Sequence, residues 1–349
     1  GCWTTWIFFF ELRSMVVSGY DPSYTGGDYS SSPTGGSRYG PYPEVMDVGR
    51  RGYSGRQVPF DPRKKERKAP QRRAVIIGLG ESGTQDAISV RQLLDHQGWD
   101  VESTSTTRLL LDKPARVDGA YLADFRTIMD HLHWLAEDNR PGDALFFHFS
   151  GRGRTMRHAN GHMRDVLIAS CGRVIDGEML YNRLFSKIVP KAFCTCIIDT
   201  DKGGNVVHLP NLYKAKGFQV LQVPDTTILP PGAGQGCGQV LVFAGRPVAH
   251  PDASFLPPSA GIGGACTAAL LSVLFQGGAM SYGELIVWMS QKLKQRPGFG
   301  QSVRLLTMQH LDLDLAFTLT PNGKPLNPLP GSEDLNPFLP FITKDIPQY

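Results

Sequence analysis

The sequence predicts an α/β fold in which helices cover both faces of a mostly parallel sheet. Along residues 72–319, short apolar runs alternate with segments whose apolar residues recur at helical spacing. That alternation is typical of parallel strands joined by crossover helices. Two of the apolar runs end in polar, glycine-rich turns, at 143–153 and 193–210. Because ligands bind at such strand ends in open α/β sheets, these two turns are the predicted site.

The individual elements follow from the positions of these runs. The predicted strands comprise residues 74–77, 99–102, 144–149, 194–199, 240–244 and 303–308. The predicted helices comprise residues 86–97, 122–136, 178–184, 263–275 and 282–293. Residues 211–238, which end in a run of glycine and proline, are predicted to form a loop. His148 falls inside an apolar strand and is expected to be a hydrogen-bonded core histidine.

Composition describes a globular chain without a predicted membrane span. The 349 residues are 41% hydrophobic, which is enough for a substantial core. No apolar run approaches the roughly 20 residues of a transmembrane helix. The six cysteines are scattered without a zinc-ligand pattern, so a reducing compartment is expected and no metal or cofactor is predicted. Cys194 and Cys196 share one face of a predicted strand, where packing is their expected role.

The basic character of the chain is confined to a short segment. Residues 50–73 contain ten Lys or Arg against Asp61 and Glu66, a local charge of +8. Subtracting this from the net charge of +4 leaves −4 for the rest of the chain. A nucleic-acid-binding fold would carry a basic face on the domain itself, so specific nucleic-acid binding is not expected.

Residues 1–71 are predicted to form a leader outside the fold. Gly, Ser, Tyr and Pro dominate residues 16–60, so this segment cannot form a core and is expected to be disordered or bound to a partner. A basic hinge follows, with charges that suit an anionic membrane surface; they are Arg63, Lys64, Lys65, Arg67 and Lys68. Residues 320–349 form a Pro-rich tail.

Two interpretations of the first residues remain open. Gly1 followed by Thr5 fits the N-myristoylation pattern, and Cys2 is a candidate for palmitoylation, so two lipids would anchor the chain. Alternatively, residues 1–14 are a processing product or upstream sequence, and the protein starts at Met15.

A glycine-rich turn offers a rival function. Gly78, Gly80 and Gly83 match G-x-G-x-x-G between a predicted strand and a predicted helix. Asp100 and Glu102 follow about twenty residues later, where a dinucleotide-binding fold places an acid for the ribose. Nucleotide binding at residues 78–83 is therefore an alternative function.

The two strand ends belong to a wider set of motifs, which are RPGD at 140–143, LFFHFSG at 145–151, LP at 209–210, GGA at 263–265, SYGEL at 281–285 and LDL at 311–313. In this order, the motifs resemble those of a type I metacaspase, especially the metacaspases of kinetoplastid and related protists. The resemblance covers residues 72–319 and implies a caspase-like fold of the peptidase C14 family.

The resemblance also implies that both catalytic positions are substituted. The family motif S-G-H-G places a catalytic His where this chain has Arg152, and D-x-C-H-S-G places the nucleophilic Cys at Asp201. Arginine stays protonated and cannot accept a proton, and a carboxylate is a poor nucleophile toward an amide. Since these two positions face each other in the family, a buried or half-buried Arg152–Asp201 ion pair is predicted.

Two ligand sites of the family are altered as well. Asp199 matches the acid that helps to bind a basic substrate residue, and the second such acid aligns with Ser89. Basic and neutral residues at 157–164 replace the acidic calcium-binding stretch of the family.

These observations together predict a catalytically inactive metacaspase homologue that serves as a scaffold or interaction subunit. Its leader, its tail and its former cleft would bind other proteins, and it is expected to be intracellular, either cytoplasmic or peripherally membrane-associated. Besides nucleotide binding, the alternative is an unorthodox hydrolase built on Asp201.

Overall fold

The computed structural model describes residues 69–157, 161, 163–200, 205–224, 237–247, 264–276, 280–294 and 301–321. The predictions for the leader, for the tail beyond residue 321 and for Asp201 lie outside these residues, as do those for Gly1, Cys2 and the basic hinge at 63–68. Within the described ranges, no helix combines the length and apolar character that a membrane span requires.

The helices and strands follow one another as the alternating pattern indicates. The helices are α1 (Gly80–His96), α2 (Phe125–Ala136), α3 (Gly177–Arg183), α4 (Ala265–Gln276) and α5 (Tyr282–Lys294). The strands are β1 (Arg72–Gly78), β2 (Thr107–Leu111), β3 (Tyr121–Leu122), β4 (Ala144–Gly151), β5 (Gly153–Arg157), β6 (Met163–Ile168), β7 (Val174–Ile175), β8 (Phe193–Thr200), β9 (Asn211–Lys216), β10 (Gln219–Pro224), β11 (Gln239–Pro247) and β12 (Gln301–Thr307).

The described strands form one large sheet and one small one. The large sheet has the order β10-β9-β12-β11-β8-β4-β1-β2-β3, and the small sheet has the order β5-β6-β7. From β11 to β3 all neighbouring strands are parallel, whereas β12, β9 and β10 add antiparallel pairs at one side. The predicted mostly parallel α/β sheet is therefore confirmed.

Hydrophobic packing covers both faces of the large sheet. Successive residues of β4 point to opposite sides: Phe146 packs in a cluster with residues of α1, α4 and α5, while Phe147 packs in a second cluster with residues of α2 and α3. Each face of the sheet is thus buried by its own set of helices, as predicted.

The first βα unit differs from its prediction. Helix α1 begins at Gly80 rather than at residue 86, so it includes most of the glycine-rich turn. The strand predicted at 99–102 is wrong, because β2 begins only at Thr107. Trp99 lies in the connecting loop, where its indole packs edge-on against Phe146 with 6.1 Å between ring centroids. The apolar residues that suggested a strand are therefore core contacts made from a loop.

The loop predicted at 211–238 is wrong over its first half. Strands β9 and β10 form an antiparallel hairpin there, and Gly217 adopts a φ of 65° at its turn. The hairpin is anchored by Tyr213, whose hydroxyl accepts a hydrogen bond from the Leu311 amide at 3.1 Å. Long-range pairing with β12 fixes these strands, and that pairing is not visible in a local pattern.

Gly83→Ala should destabilise the fold by about 1–3 kcal/mol, the usual cost of overpacking. A Cβ at this position would lie 2.6 Å from the Ser150 carbonyl oxygen, which belongs to the backbone of β4. Urea denaturation measures the change in the free energy of unfolding.

Gly283→Ala is the matched control, because this glycine also lies in the first turns of a helix. Its Cβ would meet its nearest neighbour, the Leu313 carbonyl oxygen, at 3.4 Å. The control should change stability by less than about 1 kcal/mol, or increase it, since alanine favours helix more than glycine does. Equal losses in the two variants would contradict the packing argument.

Candidate functional site

The carboxyl ends of β1, β4 and β8 meet at one edge of the sheet. Gly78 pairs with Ser150, and Ser150 pairs with Asp199. Strand β1 lies between β4 on one side and β2 on the other, so the strand order reverses beside it. Such a reversal is the usual place for a ligand in an open α/β sheet. The two strand ends that the sequence singled out therefore lie next to each other.

Asp199 is a buried carboxyl group held by the N-terminus of α4. Its side chain is 3% exposed and its Oδ2 accepts a hydrogen bond from the Thr267 amide at 2.6 Å. Burial raises the pKa of Asp199 to about 6, although hydrogen bonds from Thr267 and Cys266 oppose the shift. The position predicted for Asp199 at the end of β8 is confirmed.

Asp86 is a second buried acid at the same place, and sequence reasoning missed it. Its Oδ2 accepts hydrogen bonds from the Ser150 hydroxyl and from the Gly264 amide, each at 2.6 Å. Desolvation and the nearby charge of Asp199 raise the pKa of Asp86 to about 7, against opposing hydrogen bonds from Ser150 and Gly264. A Cβ at Gly264 would overlap the carboxylate of Asp199. The backbone of Gly264 therefore lies against both acids.

Ser89 is the residue that the resemblance predicts as the partner of Asp199. It lies on α1 one turn after Asp86, and its hydroxyl donates to the Gln85 carbonyl oxygen at 3.0 Å. The signal that identifies Asp86 is its place on the buried face of α1, between Gly83 and Val90. A charged residue on an apolar helical stripe is rare unless it has partners.

The described cysteines and histidines do not form a reactive pair. The pKa of the His148 ring is lowered to about 3, mainly by burial, and its Nε2 lies 3.3 Å from the Thr267 hydroxyl. His148 is therefore the neutral, hydrogen-bonded core residue that the sequence predicts. Burial raises the pKa of the Cys196 and Cys266 thiols, and the adjacent Asp199 charge raises that of Cys266 further. Thiols in such surroundings are poor nucleophiles.

The two positions that the resemblance predicts to be substituted, Arg152 and Asp201, are described only in part. Arg152 follows β4 directly, its side chain is exposed, and its carbonyl oxygen accepts from the Ile168 amide at 3.0 Å. Asp201 lies outside the described residues, one position beyond the end of β8. The Arg152–Asp201 ion pair therefore stays a prediction. Because Arg152 is exposed, its side of such a pair would not be buried.

The glycine-rich turn serves packing between α1 and the sheet. A Cβ at Gly78 would overlap the Gly83 backbone, and the Leu79 amide donates to the Ser150 carbonyl oxygen at 2.9 Å. The acids of the fingerprint precede β2 instead of following it. Asp100 accepts from the Ser103 amide, and Glu102 forms an ion pair with Arg91 at 2.9 Å. These groups already have protein partners.

Known proteins similar to this chain are metacaspases. Residues 72–210 match the family model of the metacaspase, peptidase C14 domain. Over residues 72–210 the chain is therefore similar to the metacaspases. It is 29% identical to Metacaspase-2 of Trypanosoma brucei brucei over 270 residues, which cover 71% of this chain and 76% of that relative. The chain is also 29% identical to Metacaspase-3 of the same organism over 270 residues, which cover 71% of this chain and 74% of that relative. Metacaspase-1 of Ajellomyces capsulatus is 29% identical over 233 residues, which cover 57% of this chain and 62% of the relative.

The metacaspase resemblance drawn from the motifs is thus confirmed. The family is normally one of cysteine peptidases, and the caspase-like α/β fold accounts for the strand ends at which Asp199 and Arg152 lie.

The stability of the folded chain should fall as the pH rises from about 4 to about 7. The pKa of Asp86 rises from 3.8 in the unfolded chain to about 7 in the fold, so the native state keeps a proton that the unfolded chain releases. Asp86→Asn keeps the hydrogen-bond acceptor without the charge and should flatten this decline by up to a few kcal/mol, since one pKa unit corresponds to about 1.4 kcal/mol. Denaturation at a series of pH values measures the slope.

Asp124→Asn is the control, because the pKa of Asp124 is shifted in the direction opposite to that of Asp86. A hydrogen bond from the Thr127 amide lowers the pKa of Asp124, so its stabilising effect is lost only in acid. This variant should leave the slope between pH 5 and pH 8 unchanged. A slope that Asp86→Asn also leaves unchanged would contradict the buried-acid assignment.

Titration with NAD or NADP at millimolar concentration should show no binding. The amide of Leu79 is already bonded to the Ser150 carbonyl oxygen, and Gly78 and Gly83 pack on protein backbone. Isothermal calorimetry measures the heat of binding. Saturable binding of either nucleotide would revive the nucleotide alternative.

Proposed function

We propose that this metacaspase homologue is a pseudopeptidase that acts as a scaffold or interaction subunit of a protein complex. The observation that carries the proposal is the identity of the residues at the two strand ends. Arg152 stands where the family has its catalytic histidine, and Asp201 stands where it has the nucleophilic cysteine. Peptide hydrolysis by this family needs a thiolate and an imidazole that exchanges protons with it.

The remaining groups near the strand ends support the same conclusion. The thiol of Cys266 is buried beside Asp199 and Asp86, two groups that disfavour a thiolate. His148 is fully buried and its pKa is too low for proton transfer near neutral pH. Neither residue compensates for the substitutions at Arg152 and Asp201.

The former substrate pocket is also engaged by the protein itself. Asp199 and Asp86 are 3% and 4% exposed, and Thr267, Gly264 and Ser150 donate hydrogen bonds to them. An acid that receives protein donors and holds a proton attracts a basic substrate side chain less than an ionised, solvent-facing acid does. This supports a role in binding proteins through other surfaces, including the leader and the tail.

The purified chain should not cleave peptides that end in Arg or Lys, because its nucleophile and its base are missing. Fluorogenic peptides measure turnover over hours at neutral pH, with and without calcium. The double variant Arg152→His and Asp201→Cys tests whether the rest of the site still supports cleavage.

Asp201→Ala and Cys171→Ser serve as controls for this assay. Turnover by the unmodified chain that Asp201→Ala removes would establish the unorthodox hydrolase instead of a scaffold. Turnover that only Cys171→Ser removes would show that another thiol acts, since Cys171 is exposed. Either result would overturn the pseudopeptidase proposal.

A further inference from the structure

The hairpin that follows Arg152 carries a cluster of arginines on one face. Strands β5 and β6 pair in antiparallel register, with Arg154 opposite Val166 and Met156 opposite Arg164. Alternate residues of a strand share a face, so Arg154 and Arg164 lie on the same side of the hairpin. Arg152 precedes Arg154 by two residues, and its carbonyl oxygen extends the ladder to Ile168. We call Arg152, Arg154 and Arg164 the arginine face.

The charges of the arginine face are accessible and are not neutralised within the described structure. Arg152 and Arg154 are exposed, and Arg164 is half-buried. The ion pairs between described residues join Arg91 to Glu102 and Arg126 to Asp130, so they do not involve this face. The acid of the hairpin, Asp165, lies on the opposite face and accepts from the Thr155 hydroxyl at 2.7 Å. The arginine face thus presents three guanidinium groups without a described carboxylate partner.

Apolar side chains lie among these charges. Met156, Val166 and Ile168 share the face by register; Met156 and Ile168 are half-buried, and Val166 is buried. Arginine combined with methionine is a composition enriched at protein interfaces. Each guanidinium is planar and offers paired N–H donors that fit a carboxylate. The surface therefore suits a partner that combines acidic and apolar side chains.

The charge of the whole domain favours such a partner over a nucleic acid or a membrane. Residues 72–319 contain 24 Lys or Arg and 22 Asp or Glu, so the domain has a net charge of only +2. Binding to a phosphate backbone or an anionic bilayer depends on neutralising many charges over a wide area. Three arginines on one short hairpin match a few carboxylates on a peptide.

We propose that the arginine face of the β5–β6 hairpin docks an acidic segment of a partner protein. The proposal rests on the proposed function as an interaction subunit and names the chemistry of what is bound. It places the docking surface directly beside the end of β4, where Arg152 stands.

Fluorescence anisotropy of a labelled eight-glutamate peptide tests this docking with the full chain at low salt. Arg154→Glu and Arg164→Glu together should weaken binding about tenfold or more, because each reversal removes an attraction and adds a repulsion. An eight-glutamine peptide should not bind. Arg152 is left unchanged in these variants, so that the test does not depend on the former catalytic position.

Two control variants separate the arginine face from other cations. Arg126→Glu reverses a highly exposed arginine on α2, and Lys64→Glu with Lys65→Glu reverses two charges of the basic hinge. Both controls should keep most of the peptide affinity, and circular dichroism and thermal melting should show that all variants are folded. Loss of binding in the hinge variant with full binding in the hairpin variant would overturn the proposal.

Competing ligands and the fate of the peptide complete the test. The competing ligands are an eight-nucleotide thymidine oligonucleotide and vesicles with 30% phosphatidylserine. Tighter binding of either one than of the peptide, through Arg154 and Arg164, would overturn the acidic-peptide assignment. Mass spectrometry of the incubated peptide reports cleavage separately. Cleavage would contradict the pseudopeptidase proposal and leave the docking result standing, whereas an intact, unbound peptide would contradict only the docking proposal.

Discussion

The burial of two carboxyl groups under the N-terminus of α4 is the constraint on which this region of the structure depends. Asp86 comes from α1 and Asp199 from β8, and both lie against the backbone of Gly264. Carboxyl groups at a helix N-terminus bind free amides and interact favourably with the helix dipole. Without those donors, burying two acids so close together would be costly. The same contacts therefore hold α1, the sheet and α4 together and keep a proton at the site near neutral pH.

Local sequence patterns predict some parts of the fold and miss others. The parallel strands are continuous apolar runs such as residues 144–149, and a local pattern is enough to find them. The β9–β10 hairpin is defined by pairing with β12, about ninety residues away in sequence, and by a hydrogen bond between Tyr213 and Leu311. Contacts at that separation leave no periodic trace in a single segment.

The same distinction applies to the site. Asp199 was found because it follows an apolar strand, and Arg152 because it follows another. Asp86 was missed, and Ser89 was chosen in its place, because alignment to a motif counts positions along the chain. Asp86 interacts with Asp199, whereas Ser89 lies one turn farther along α1 and donates its hydroxyl to the Gln85 carbonyl oxygen. The burial pattern of α1 distinguishes the two residues, since Asp86 lies on the buried stripe.

The exposed charges that follow β4 are positive, although the two acids at this edge of the sheet are negative when ionised. A site that binds a basic side chain needs exposed negative charge, but Asp86 and Asp199 are buried, hydrogen-bonded and have raised pKa values. The exposed groups that follow β4 are Arg152 and Arg154. The two acids already receive hydrogen bonds from the protein, whereas the side chains of Arg152 and Arg154 lie at the surface. We therefore expect the surface that follows β4 to favour acidic ligands, which is the opposite of what the two acids alone would suggest.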